Sequence, residues 1–367
     1  MSEQPSAQAV APGPQAETQV ATQSDKILDV KDLHTYFFTD LGVARALNGV
    51  TYSIPREKVL GVVGESGCGK SVTALSIMQL VQPPGRIVRG EIVLHRQTGK
   101  GEEDVVITHL DRHSAEMRRI RGAEIAMIFQ EPMTSLNPVY TIGAQIMEAV
   151  LLHHDVDKAE ARARAIRMLD RVGMPSPEIV VDQYPHQISG GMRQRAMIAL
   201  ALSCSPSLLI ADEPTTALDV TTEAQILDLM RELQHDIGMS IMFITHDLGV
   251  IAQMADEVVI MYLGRIVEQS PVVPLFYDPK HPYTKALLRS IPHISAERNK
   301  ERLQPIRGVV PNPYSRISGC PFHPRCDSFM PGVCDVKVPG VTRLDDNRTV
   351  RCFLYSDRVE ENNEQPS

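Results

Sequence analysis

The sequence predicts an α/β fold, a mostly parallel sheet with helices packed on it. Three observations carry this. Val59–Val63 is an unbroken apolar run, as a strand buried on both faces should be, and a glycine-rich loop and a helical pattern follow it at once. Leu208–Ala211, Ser240–Thr245 and Glu257–Met261 are further short apolar runs. Between the first two of these, Thr221–Ile237 places Ile226, Leu229, Met230, Leu233 and Ile237 on one helical stripe, with Gly238 as its stop.

The remaining elements follow in chain order. Residues 1–25 are mostly Gln, Ala, Ser, Pro and Thr with no aromatic, and predict a disordered tail. Order begins near Ile27. Asp29–Phe38 and Ala46–Ile54 read as strands joined by the turn Asp40-Leu41-Gly42. In the helix after the glycine loop, Ala74, Ile77, Met78 and Val81 recur at helical spacing until Pro83-Pro84-Gly85 stops it. Glu91–Leu94 and Val105–Ile107 read as strands around a polar turn at Gln97–Asp104. Ser114–Arg121 reads as a short helix, and Ile125–Phe129 as a strand ending at Gln130. From Met133 to about Ser205 the texture is helical, with Ile142–His153 and an Arg-rich Lys158–Val172. This is a helical insertion within a domain spanning residues 26–274. Beyond Pro271 prolines become frequent and periodicity fades. A C-terminal module is expected over 275–355 and a disordered acidic tail over 356–367.

Composition excludes several classes. A 43% hydrophobic content is ample for a core. No uninterrupted apolar run is long enough to span a bilayer. The N-terminus lacks a basic segment followed by an apolar one, so no secretory signal is expected. The formal charge of −8 argues against a dedicated nucleic-acid binder.

Gly64-Glu65-Ser66-Gly67-Cys68-Gly69-Lys70-Ser71 fits the phosphate-loop pattern G-x-x-x-x-G-K-S/T. Its glycines let consecutive amides point into one concavity, and the following helix adds the positive end of its dipole. Lys70 is placed to reach outer phosphates, and Ser71 offers a hydroxyl to Mg²⁺. Leu208–Pro214 is the second motif. An apolar strand delivers Asp212 and Glu213 at its carboxyl end, where α/β sheets bind ligands. Asp212 would hold Mg²⁺, and Glu213 would polarise an attacking water. Ser189-Gly190-Gly191 is the third. Ser189 can cap the next helix, and the two glycines expose its first amides as a second anion site.

These motifs, with Gln130, Ala217-Leu218-Asp219 and His246, resemble ATP-binding-cassette (ABC) ATPases in order and spacing over about residues 27–270. The resemblance implies a P-loop NTPase fold of the ABC type, with an antiparallel β subdomain, a helical insertion and a C-terminal Cys-rich module. It implies that ATP lies between the phosphate loop of one cassette and the Ser-Gly-Gly turn of a second. Gly64, Ser66, Gly67, Cys68, Gly69, Lys70, Ser71 and Val72 are then nucleotide contacts, with Ser189, Gly190 and Gly191 supplied across the dimer. It assigns Gln130 to sensing Mg²⁺ and coupling to membrane subunits, His246 to the γ-phosphate and Asp219 to communication across the dimer. It places an aromatic against adenine, Phe37 or its neighbour Tyr36.

Met192 stands where the usual motif has Gln. Ser-Gly-Gly-Met-Arg-Gln-Arg instead resembles ATPases of oligopeptide and dipeptide importers. Glu131–Pro138 and His281-Pro282-Tyr283-Thr284-Lys285-Ala286-Leu287-Leu288 are similar to that group too. The resemblance implies a second ATPase subunit, identical or paralogous, two integral-membrane permease subunits and an extracytoplasmic solute-binding protein. It implies peripheral attachment at the cytoplasmic face of the membrane, with the helical insertion receiving a short permease helix and no nucleic acid involved. Nickel, glycosides or opines are alternative cargoes. A soluble cassette ATPase acting on nucleic acid or ribosomes is the alternative class, and a non-hydrolysing regulatory subunit a third.

Cys68 and Cys204 sit alone, whereas Cys320, Cys326, Cys334 and Cys352 crowd the last fifty residues at intervals of five, seven and seventeen. Four thiolates suit a 4Fe–4S cluster or a structural Zn²⁺. Loose spacing with Pro321, Pro324 and Pro331 nearby leans towards iron–sulfur, and the importer-ATPase resemblance points the same way. Free structural cysteines are the alternative.

Overall fold

The computed structural model describes residues 25–99, 101–130, 135–216, 218–290, 306–315, 317–344, 347–356 and 359. The tails expected at the two ends therefore fall almost wholly outside the described residues, as do Glu131–Thr134 and Ala217.

Strands β1 (Lys26–Thr39), β2 (Gly42–Pro55), β4 (Gly85–Thr98) and β5 (Gly101–Val106) form an antiparallel sheet in the order β2-β1-β4-β5. The second sheet has the order β11-β12-β10-β9-β3-β8-β7-β6. Its centre is five parallel strands: β3 (Val59–Val63), β6 (Ile125–Ile128), β7 (Leu208–Asp212), β8 (Ser240–Thr245) and β9 (Glu257–Tyr262). Antiparallel β10 (Arg265–Pro271), β12 (Thr349–Val350) and β11 (Thr342–Arg343) extend one edge. The C-terminal segment thus builds onto the same sheet.

The helices are α1 (Lys70–Ile77), α2 (Ala115–Ala123), α3 (Ile142–His153), α4 (Lys158–Arg171), α5 (Pro177–Val180), α6 (Gly190–Leu202), α7 (Val220–Ile237), α8 (Leu248–Met254), α9 (Val272–Tyr277) and α10 (Pro282–Arg289). Their starts are chemically marked. Ser114, Thr141, Asp157, Ser189, Asp219 and Asp247 each accept a backbone N–H from the first turn they cap.

The central strands separate two apolar clusters, which explains their unbroken runs. Val59, Val63, Leu209, Ala211, Ile241 and Phe243 face the cluster made with α3, α4, α6, α7 and α8. Leu60, Val62, Leu208, Ile210, Met242 and Ile244 face the antiparallel sheet with α1 and α2.

Two expectations need correction. The helix expected to run to Val81 ends at Ile77. Gln79 takes a left-handed φ of 49°, and the chain closes with Gln79 N–H on Ser76 O (3.1 Å) and Leu80 N–H on Leu75 O (2.7 Å). That is a Schellman cap built without glycine, so composition hides it. The polar turn expected over Gln97–Asp104 is mostly strand. His95 to Thr98 pair with Asp104 to Gly101, because an exposed hairpin tip needs no apolar residues.

Gly61, in the middle of β3, makes room for α8. A Cβ there would stand 2.7 Å from Ile251 Cδ1 and 3.1 Å from Ala255 Cβ. We expect Gly61→Val to overpack this seam and cost about 1–3 kcal/mol. The measurement is the urea midpoint of unfolding, which should fall at unchanged slope; an unshifted midpoint would show that α8 yields freely.

Candidate nucleotide site

The site is assembled at the carboxyl edge of neighbouring parallel strands β3, β8, β7 and β6. Val63 pairs with Thr245, Asp212 with Ile244 and Ile128 with Ala211, so the four strands end nearly level. The next residues on each are the phosphate loop, His246, Glu213 and, two beyond β6, Gln130.

The loop after β3 turns tightly into α1. Gly69 has φ +105°, closed to side chains, and a Cβ on Gly64 would collide with the Met261 carbonyl and Cys68 Sγ. Lys70 is 6% exposed. Its Nζ donates to Gly64 O (2.7 Å) and Glu65 O (3.3 Å), which curls it over the loop's mouth. Ser66 and Gly67 form the exposed tip, Cys68 is buried beneath it, and Val72 packs on the core behind.

Asp212 closes the floor. Burial pushes its carboxyl up, a hydrogen bond with Ser71 and the charge of Lys70 pull it down, and Glu213 adds to the rise. Its Oδ1 is buried without a hydrogen-bond partner among the described residues. A buried, orphaned carboxylate oxygen beside a serine hydroxyl is a hard-oxygen pair of the kind that suits Mg²⁺. Of the three side chains expected at Mg²⁺, Ser71 and Asp212 are therefore brought together and fit it, whereas Gln130 bonds Glu213 instead.

Glu213 gathers the rest. Its φ of +47° is left-handed, and its N–H continues the ladder to Ile244 O at 2.9 Å. Oε2 accepts from Gln130 Nε2 (3.0 Å) and Thr216 Oγ1 (3.1 Å), and Oε1 lies 3.2 Å from His246 Nδ1. A carboxylate only accepts, so the proton of that last bond belongs to Nδ1 and Nε2 faces outward as the free ring nitrogen.

Ser189 caps α6 by accepting Met192 N–H (3.3 Å), with Gly190 exposed beside it. Asp219 caps α7, accepting Thr222 N–H (3.0 Å) and Thr222 Oγ1–H (2.7 Å). The two caps are neighbours: a Cβ on Gly191 would stand 3.2 Å from Thr222 Cγ2.

Residues 47–216 match the family described as ABC transporter, and residues 267–334 match the oligopeptide/dipeptide transporter C-terminal region. A probable peptide ABC transporter ATP-binding protein, y4tR, of Sinorhizobium fredii is 49% identical, over 92% of this chain and 97% of that one. The chain belongs to the ABC transporter family. The oligopeptide transport ATP-binding protein AppD of Bacillus subtilis is 49% identical, over 90% of this chain and 97% of that one. Among solved structures, cbiO1 of Clostridium perfringens, part of the ABC transporter complex cbiONQ, aligns with TM-score 0.57 and 27% identity, over 70% of this chain and 92% of that one. As an ABC ATP-binding subunit the chain hydrolyses ATP to drive transport.

The ABC fold also separates the two aromatic candidates. Phe37 pairs with Gly85 and lays its ring where a Cβ of Gly85 would stand, next to Val81; Thr35, on the same strand face, bonds Ser76 of α1. Tyr36 faces away, bonding Asn48 (3.4 Å) with Arg45 over its ring. Phe37 is thus the one on the α1 side.

The four C-terminal cysteines approach one another, and Cys326, Cys334 and Cys352 all bear on the Cys320 thiol. Burial pushes Cys320 up to about 12 and Cys352 up to about 11. Yet among the described residues no three His, Cys, Asp or Glu side chains are set to hold a metal ion. The 4Fe–4S centre, or Zn²⁺, expected at these cysteines therefore finds no support in the described geometry. His323 donates from Nδ1 to Cys320 O at 2.9 Å.

Some residues escaped the sequence reading. Thr216 holds Glu213. Gln194, fully buried, donates from Nε2 to Pro214 O and so ties α6 to the acidic loop. Its position inside Ser-Gly-Gly-Met-Arg-Gln was the one available signal. Tyr283 and Arg325 both grip Glu65. Tyr283 lies in the His-Pro-Tyr-Thr stretch, whereas nothing marked Arg325.

The burial of Asp212 yields a prediction. Asp212→Asn should raise the thermal midpoint measured without nucleotide, by a stability gain of about 1 kcal/mol, because a carboxylate that burial disfavours, with one oxygen unpaired, gives way to a neutral amide. The same variant should lose the further rise that Mg²⁺ and ATP together give. Differential scanning calorimetry with and without Mg-ATP reads both.

Proposed function

We propose that this chain is the energy-coupling ATPase of an importer for di- or oligopeptides, attached peripherally at the cytoplasmic face of a membrane. It works with a second cassette, identical or paralogous, two integral-membrane permeases and an extracytoplasmic solute-binding protein. Support for the cargo is the match of residues 267–334 to the oligopeptide/dipeptide transporter C-terminal region and the peptide-transport names of the relatives. No helix of the described residues is long and apolar enough to cross a membrane, so the spanning part falls to other subunits.

One observation carries the catalytic reading: Gln130, Glu213 and His246, from three strand ends, converge on a single carboxylate. Glu213 is the general base that takes a proton from the attacking water. Gln130 and Thr216 hold one of its oxygens; the other accepts from His246 Nδ1 and keeps a second lone pair for the water. His246, fixed through Nδ1, turns Nε2 towards the terminal phosphate and donates to it when Nε2 also carries a proton. Lys70 and the loop amides from Ser66 to Ser71 bind the phosphates, and Phe37 takes the adenine. Mg²⁺, when bound at Ser71 and Asp212, neutralises phosphate charge; Gln130 is near enough to Glu213 to report on that occupancy. Ser189, Gly190 and Gly191 serve the partner cassette's nucleotide, and Asp219, touching that turn through Thr222, relays between the two sites. The cysteine cluster takes no part in these steps.

The helical insertion supplies the coupling surface. An open groove between α3 and α4 is lined by Ala144, Met147, Leu151 and Leu152, with Glu148, Lys158 and Arg162 at its rim. Leu152 is 70% exposed. An apolar floor with a charged rim suits a short amphipathic helix from a permease.

Glu213→Gln should retain ATP binding and lower the turnover of the assembled transporter by about 10²–10⁴-fold. Wild-type turnover in that variant would remove Glu213 from the role of base. The importer reading is tested by purification from membranes: we expect co-isolation with integral subunits and ATPase stimulated by peptide-loaded binding protein in proteoliposomes. Co-isolation with RNA or DNA instead would overturn it.

A further inference from the structure

Glu65, the second residue of the phosphate loop, is held by residues far downstream of the nucleotide motifs. Its N–H donates to the Tyr283 hydroxyl at 3.0 Å. Its carboxylate accepts both terminal nitrogens of Arg325, at 2.6 and 2.9 Å. That fork is 4% exposed and is itself fixed. Arg325 Nε donates to Arg307 O (2.9 Å), and the guanidinium lies 5.8 Å from the Tyr262 ring centre. The rings of Tyr262, Tyr283 and Phe322 pack together at 4.8–5.3 Å between centroids. Glu65 holds Arg325 firmly in its charged form.

The consequence runs through one peptide bond. The carbonyl of Gly64 and the N–H of Glu65 belong to the same planar unit. Tyr283 holds its nitrogen end, and Lys70 Nζ sits on its oxygen end at 2.7 Å. The Glu65 carbonyl, on the next unit, takes the second bond from Lys70. Turning Glu65 would turn both carbonyls on which Lys70 rests.

We propose that Tyr283 and Arg325 are positioning residues for the nucleotide site, holding the Gly64–Glu65 peptide and through it Lys70 in the attitude that ATP binding needs. This rests on the reading of the Lys70 loop as the ATP site. The C-terminal segment is then a working part of the ATPase. A bidentate charged pair is the strong form of such a hold.

The test measures the affinity of the full-length chain for a fluorescent ATP analogue with Mg²⁺, and KM and kcat for ATP in the assembled transporter. Arg325→Gln and Glu65→Gln should each weaken binding about tenfold, the scale of a lost hydrogen-bonded charge. The double variant should be no weaker than either single one, since both remove the same contact. KM should rise while kcat at saturating ATP stays within about twofold, the pattern of lost binding energy common to ground and transition states. Arg348→Gln, which breaks the bond to Asp278 O (2.8 Å) elsewhere in the segment, should leave ATP affinity unchanged. Affinity within twofold of wild type in Glu65→Gln, additive losses in the double variant, or an equal loss in Arg348→Gln would each overturn the proposal. Glu65→Gln decides the matter even where Arg325→Gln does not fold. Lys70→Ala in the wild-type background tests the underlying reading separately, because retained binding there would dismiss the loop as the ATP site.

Discussion

The level ending of parallel strands is the constraint on which this molecule depends. A parallel ladder of β3, β8, β7 and β6 brings four chain segments to one edge, in register to within a residue or two. Its strands are buried on both faces, so a slip in register would tear two apolar clusters at once. The position of Glu213 against Gln130 and His246 is therefore inherited from the core. Local geometry only finishes the work, through the left-handed backbone at Glu213, a conformation that costs about 1–2 kcal/mol in an L-residue. The ladder bond from Glu213 N–H to Ile244 O holds that turn in place.

Most of this was legible because its chemistry is local. Val59–Val63 and Ser240–Thr245 are strands to the residue, since burial on two faces leaves no polar position to blur their ends. Ile142–His153 was equally plain, with Thr141 as its cap. Backbone-driven features were not. Gln79 ends α1 by adopting a conformation that its side chain does not advertise. The hairpin tip of β4 and β5 carries Glu102, Glu103 and Asp104, which read as a loop because nothing buries them. At the site, motif residues were recognisable by type and order, yet their convergence on one carboxylate is a fact of topology. For the four cysteines, crowding in sequence suggested a metal, and the described residues add proximity and burial without a set of three metal ligands.

The site also concentrates instability. Asp212 keeps a buried oxygen unpaired, Gln194 Oε1 is similarly orphaned, and Glu213 is backbone-strained. Each of these lies within the acidic loop or against it. A protein selected only for stability would fill such a place with apolar side chains. The surrounding sheet is what allows the strain to persist.

The grip on Glu65 has a consequence for how the protein is made. Its two partners lie 218 and 260 residues further along the chain. Translation at roughly 5–20 residues per second delivers them on the order of ten to fifty seconds after the loop has left the ribosome. The β3–α1 unit therefore emerges with its anchor still unmade, and a chain cut short before Arg325 never acquires it. The anchor of the triphosphate loop is therefore among the last contacts that synthesis makes possible.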